Sequence, residues 1–415
     1  MEKRVQSAFA SAGKDELWEG YGSRAKINQL LYNWLDFVSP LRFCMVMLFD
    51  SLILFTLSLS FLARFSNAAT HGTLHRRSYF YVGQTYAAQG NSSIAFGQIY
   101  VEHLTPAKVT QPHPLLIIHG HGMTGTNFLN TPDGRLGWTD YFLCKGYELY
   151  LVDQPSRGRS PWQKDIDGAQ SAYDTFTIES HFTATQLHNL WPQAALHTQW
   201  PGNGSVGDPT FDNVFASTTP SLDSDAETAT KMQAAGAKLL DQIGPVILLT
   251  HSQSGQHGWL LGDAKPSKIK AIVALEPIGP PFKNAVFPPF AAARDYGLTD
   301  IPITYSPAVT SPEDIARVIV SSTSSFTCFQ QASPPRKLVN LAHIPVLIVT
   351  SESSYHTIYD GCSAQYLKQA GVSVEHINLG DVGIHGNGHM MFMEKNGLQI
   401  ADEVVEKWIS KTLHD

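Results

Sequence analysis

Six short apolar runs, at 115–119, 148–153, 246–250, 269–276, 346–351 and 374–379, set the tightest limit on what this chain can fold into. Their hydrophobicity is continuous rather than alternating, which marks strands covered on both faces. Helix-like stretches separate them, so the expected fold is α/β: a mostly parallel, doubly wound sheet with helices on each side. The helix ahead of the third run opens with a capping-box pattern, Ser224 followed by Glu227. It carries Met232, Leu239 and Leu240 inward and stops at Gly244-Pro245. The last helix puts Ile400, Val404, Trp408 and Ile409 on one face. With 415 residues, 43% hydrophobic and 16% charged, the chain can bury a large core. Its net charge of -7 supplies no basic face, which argues against a nucleic-acid partner and favours small neutral or apolar substrates.

The N-terminal residues read differently. An apolar core at 52–62 has the length of a signal-peptide h-region, and Ser66-Asn67-Ala68 offers small residues for cleavage. Residues 1–69 are therefore expected to be an extension carrying a signal peptide, with initiation at Met45 or Met47 giving a more ordinary leader. The alternative is an uncleaved signal anchor, the one route by which the chain would touch a membrane, and Asp50 would be costly inside it. Residues 70–415 form the expected catalytic domain, exported in either case. The sequons at Asn91 and Asn203 are compatible with glycosylation there. The four cysteines show no metal-ligand spacing; Cys328 and Cys362 can pair under oxidising conditions or stand as separate buried thiols. Two long stretches interrupt the strand-helix alternation. Residues 161–223, with Trp162, Trp191, Trp200 and Phe211, read as a lid-like insertion, and residues 277–335 are placed to wall the other side of a pocket.

The run at 246–250 breaks at His251-Ser252-Gln253-Ser254-Gly255. A strand that turns sharply into a helix at a serine strains that residue and exposes its hydroxyl, provided the flanking side chains are small. Here Thr250 and Ser254 occupy the two flanking positions where glycine is usual. A serine hydroxyl attacks only when an imidazole takes its proton, and a carboxylate must fix that imidazole's tautomer. Among seventeen histidines, His389 lies in the loop between the last strand and the last helix, with His385 in the same loop as its rival. The run at 346–351 ends on serine where an acid is usual, whereas the run at 269–276 ends directly on Glu276. A carboxylate there is otherwise costly to bury, so Glu276 is the expected acid and Glu352 the alternate. Oxyanion donors are expected from the N–H groups of Gln253 and of His121 in the glycine-rich loop 118–125, with Gly122 as the next choice. The motif from Asp153 to Ser160 is read as turn-stabilising, without a catalytic role.

The order Ser252, Glu276, His389, preceded by His119-Gly120, resembles the α/β-hydrolase superfamily over residues 78–415. More narrowly, Asp153-Gln with Arg157-Gly-Arg-Ser160, His251-Ser-Gln-Ser-Gly255 and His385-Gly-Asn-Gly-His-Met-Met391 resemble a small group of secreted bacterial serine esterases. In that group the acid follows the sixth strand, which agrees with Glu276. Those esterases carry a vicinal disulfide in the oxyanion loop where this chain has His121-Gly122. The resemblance implies a secreted serine hydrolase acting on a small-molecule carboxylic ester or lactone through an acyl-enzyme, with no metal or organic cofactor. The alternatives are acyl transfer to an alcohol, or a non-catalytic binding protein that keeps the fold. Dehalogenase or epoxide hydrolase chemistry would need aspartate at position 252.

Overall fold

A computed structural model describes residues 72–414 of the chain. The N-terminal extension, with its expected signal or anchor segment, lies outside the described residues. The central sheet has eight strands: β1 (His75–Val82), β2 (Ile99–Pro106), β3 (Leu115–Ile118), β4 (Leu149–Asp153), β5 (Val246–His251), β6 (Ile269–Leu275), β7 (Val346–Thr350) and β8 (Val374–Asn378). Their order across the sheet is β1-β2-β4-β3-β5-β6-β7-β8. All six apolar runs are strands within one residue of their expected limits. β1 and β2 pair antiparallel and join the sheet antiparallel to β4, and every other pairing is parallel.

β3, β4, β5 and β7 are buried at every residue because helices cover both faces. Alternate side chains therefore feed two separate cores. Leu116 and Ile118 of β3 join Met232, Leu239, Trp259 and Leu260 on one side. Leu115 and Ile117 join Trp138, Phe142, Val405 and Ile409 on the other. Helices α1 (Trp138–Cys144) and α2 (Asp225–Ile243) lie on opposite faces, with α3 (Gly255–Ala264) beside α2. The four apolar residues expected on the face of the last helix are all buried, along a stretch running from Gly397 through a π-helical segment to His414.

Ser224 caps α2 as expected, its hydroxyl accepting from the Glu227 N–H. The reciprocal half of the capping box is not formed. The Glu227 carboxylate turns instead to the Gly168 N–H and Lys231 Nζ, tying the lid-like insertion to α2.

The chain leaves β3 toward β4 on one side, then returns to place β5 on the other. Loops leaving β3 and β5 thus part company at their carboxyl ends, the crevice where open α/β sheets bind ligands. Loop 119–125 and Ser252 stand at that switch point.

Among the described residues, no helix is long and apolar enough to cross a membrane. Cys328 and Cys362 form a disulfide, joining the strand Thr327–Gln331 to α4 (Asp360–Gln369) across 34 residues of sequence. Closing a loop of that length restricts the unfolded chain by about 2–4 kcal/mol. Cys328→Ala with Cys362→Ala is expected to lose that much stability, read as a lower urea midpoint. An unchanged midpoint would show the bridge to be dispensable.

Candidate active site

β5 delivers Ser252 at φ +57°, a left-handed backbone that a side chain adopts only under constraint. Neighbouring contacts impose it. The Ser254 hydroxyl donates to Ile118 O of β3 at 2.7 Å and accepts the His251 N–H at 2.8 Å. On the far side, Ser252 O accepts the Ile278 N–H at 2.9 Å. Only glycine fits opposite the turn: a Cβ on Gly120 would lie 2.9 Å from both His251 Nδ1 and Ser252 Cβ, and one on Gly255 would lie 2.4 Å from Pro277 Cβ.

β6 ends on Glu276, also at positive φ (+46°) and fully buried. Its N–H is held by Val349 O of β7, and its carboxylate receives three donors. Ser351 N–H and the Ser354 hydroxyl each donate at 2.7 Å, and His389 Nδ1 donates at 2.5 Å. The serines that stand where the seventh strand might have carried an acid thus serve the acid of the sixth. Burial pushes the Glu276 carboxyl up to about 8, while the charge of His356 and the two serine donors pull it back.

The His389 loop is braced by the buried carboxylate of Glu394, which accepts the Gly388 N–H, the Asn387 amide and, at 2.7 Å, His197 Nε2 from the lid-like insertion. The His389 ring lies against four others, Phe182 from the insertion among them. His251 is 4.5 Å away between centroids, and its Nε2 donates to His389 O at 3.1 Å. His356 stacks at 4.8 Å with planes 7° apart, itself held by Asp360 at 2.9 Å. Tyr355 is 5.2 Å away. Burial, then the nearby imidazoles of His356 and His181, hold His389 well below the usual histidine range. No hydrogen bond joins Ser252 Oγ to His389 among the described residues; such contacts commonly form only when substrate is bound.

Loop 118–125 faces Ser252. Neither the His121 N–H nor the Gln253 N–H donates to another group of the described residues. The Gly122 N–H, the alternate donor, differs: Ser221 Oγ takes it at 3.0 Å. The other two alternates pair with each other, His385 Nδ1 donating to Glu352 Oε1 at 2.8 Å, with the His385 side chain largely exposed. His251, next to the serine, is buried and packs against His389. Nothing in its linear surroundings announces that contact.

Both long insertions reach the site. From 161–223 come Phe182, 5.4 Å from the His389 ring, and Trp191, whose Nε1 donates to Ser353 O. From 277–335 comes Phe287, packed on His181 at 4.0 Å and on Tyr355 at 5.2 Å. The walls are therefore aromatic. A separate groove of about 620 Å³ bordered by Glu375, Ile377, Trp408 and Lys411 includes none of these residues. Glu276, His356 and His389 bring ligand atoms within 4.8 Å of one another, the minimum a cation would need. Both nitrogens of His356 and the Glu276 carboxylate are already engaged in hydrogen bonds, so the trio fits a hydrogen-bond network better than a metal site.

Residues 115–403 match the alpha/beta hydrolase family, and the chain belongs to that family. Over 341 residues it is 51% identical to phiG, a probable secreted lipase of a fungal species (strain ATCC 74256), a match covering 80% of this chain and 89% of that protein. Among solved structures, one titled a novel bacterial esterase superposes with a TM-score of 0.54 at 23% identity, covering 83% of this chain and 98% of the other, a likeness of fold.

Burial holds the Glu276 carboxyl up to about 8 and keeps the His389 ring well below the usual histidine range. Chemistry that needs a neutral His389 facing an ionised Glu276 is expected to rise with pH and level off only above about 8. A pH profile of kcat/KM already flat from pH 6 upward would contradict this.

Proposed function

We propose that the chain is a secreted serine hydrolase that cleaves a carboxylic ester or lactone through an acyl-enzyme. The observation that carries this reading is the buried Glu276–His389 pair, set beside a serine held in a strained turn. In this mechanism His389 Nε2 takes the Ser252 proton as Oγ attacks the carbonyl carbon, while Glu276 keeps the proton on Nδ1 and balances the imidazolium. The oxyanion that forms accepts the N–H groups of His121 and Gln253, which have no other acceptor to surrender. His389 returns its proton to the departing alkoxide. Water then repeats the sequence on the acyl-enzyme and releases the acid. No metal or organic cofactor enters any of these steps.

The aromatic rings of Phe182, Tyr355 and Phe287 around His389 favour an apolar acyl or alcohol group. The similarity to a probable secreted lipase supports the same class of substrate. Export is supported by the Cys328–Cys362 bridge, since such bonds persist in oxidising compartments. In this reading residues 1–69 carry the export signal, 70–415 form the hydrolase domain with 161–223 as its lid, and Asn91 and Asn203, both exposed, accept glycans.

A fluorophosphonate probe is expected to label the purified protein and to fail with Ser252→Ala; labelling that survives the substitution defeats the assignment. Hydrolysis of a chromogenic ester should fall on the order of 10⁴-fold in Glu276→Gln, the scale of losing a triad carboxylate, and only slightly in Glu352→Gln. Equal losses would move the acid to the seventh strand. For export, the expected mature N-terminus lies near Thr70, with a mass decrease on N-glycosidase treatment; Met1 retained in a cytosolic extract would overturn it.

A further inference from the structure

Arg157 belongs to the motif that the sequence marked as turn-stabilising, and much of that motif does only this. Asp153 accepts the Gly125 and Arg159 N–H groups and the Arg159 guanidinium, and the Ser160 hydroxyl donates to Asp153 O. Arg157 is different. It is 2% exposed, yet no carboxylate lies within ion-pair range of it among the described residues. Asp153 is taken by Arg159, and Asp225 reaches Arg157 only through the amide of Gln253, whose Nε2 donates to Asp225 at 2.6 Å.

A buried cation without an ion pair is costly and persists only where its hydrogen bonds or its field are needed. The two acceptors of Arg157 lie on the two sides of the turn. Nη1 donates at 2.9 Å to Gly120 O, the carbonyl of the peptide whose nitrogen is the His121 N–H. Nη2 donates at 3.2 Å to Gln253 Oε1, on the residue that supplies the second free N–H. Gly120 O also accepts His119 Nδ1, and Gln253 Nε2 also bonds His121 Nδ1 at 3.2 Å, so one guanidinium fork closes a ring of bonds around the loop and the elbow. Nε has no partner.

We infer that Arg157 is the positioning residue of the oxyanion hole: its fork sets the His121 and Gln253 N–H groups at a common point, and its unpaired charge biases that point toward the negative oxygen of the tetrahedral intermediate. A donor to the Gly120 carbonyl also polarises the shared peptide, strengthening the His121 N–H as a donor. Lysine cannot reproduce this, because it keeps the charge but offers no planar fork to span both acceptors. The inference rests on the serine-hydrolase reading above and adds to it the element that orients the hole.

The test compares Arg157→Lys and Arg157→Gln with the wild type, using p-nitrophenyl butyrate for kcat and KM and a thermal melt for folding. Loss of a single oxyanion donor costs on the order of 10²–10³ in kcat. Arg157→Gln is accordingly expected to lose about 10²-fold in kcat with KM nearly unchanged, and Arg157→Lys about 10-fold, because charge survives without the fork. A trifluoromethyl ketone, which binds as its oxyanionic adduct, should weaken in step with kcat, while the parent methyl ketone should not. If Arg157→Gln fails to fold, Arg157→Lys decides alone. A folded variant with kcat within twofold of wild type, or a loss that appears in KM alone, overturns the inference. If the wild type neither hydrolyses the ester nor takes a fluorophosphonate on Ser252, the serine-hydrolase reading itself falls; normal wild-type behaviour with silent Arg157 variants removes only the role of Arg157.

Discussion

The carboxylate of Glu276 is the group around which the rest of the site is arranged. A carboxyl group with no exposure to water is tolerated only when its oxygens are fully engaged. Here Ser351, Ser354 and His389 engage them from two different loops. Meeting that demand brings the ends of β6 and β7 and the loop after β8 together, and so fixes His389 at the carboxyl end of the sheet, beyond its buried central strands. Glu394 has a similar role close by, where its buried carboxylate holds the backbone just before His389 and reaches into the lid-like insertion through His197.

Ser252 and Glu276 both sit on strained backbone. Ser252 and Glu276 each end a buried strand at positive φ, on adjacent parallel strands. Conformations of this kind cost on the order of 1–3 kcal/mol each and survive only where surrounding contacts over-determine them. At Ser252 those contacts are the Ser254 hydroxyl on one side and Ile278 on the other, with glycine opposite because nothing larger fits. The strain is met by the two cores on either face of the sheet, and the outcome is a hydroxyl standing clear of its own strand at the switch point of the topology.

Much of this was legible in the linear chain, for identifiable reasons. Strands buried on both faces must be continuously apolar, so their limits could be read to within a residue. A glutamate closing such a strand has no cheap explanation as packing, which marked Glu276, and the small residues flanking Ser252 marked the elbow. Less could be read where a side chain's role depends on a distant partner. Nothing local shows that His251 lies on His389, that Ser221, ninety-nine residues on, takes the Gly122 N–H, or that Glu352 and His385 are each other's partners. Arg157 sits in a motif whose other members only stabilise a turn, and no local pattern separates it from them.

Local periodicity, turn chemistry and the cost of burying a charge are properties of neighbouring residues, so the chain alone determined its fold class, its strands, the strained serine and the carboxylate at the end of the sixth strand. Which nitrogen meets which oxygen, whether Cys328 finds Cys362, and whether both insertions converge over His389 depend on distances between residues far apart in sequence. Those distances exist only once the two cores have packed, and the tertiary structure decided them.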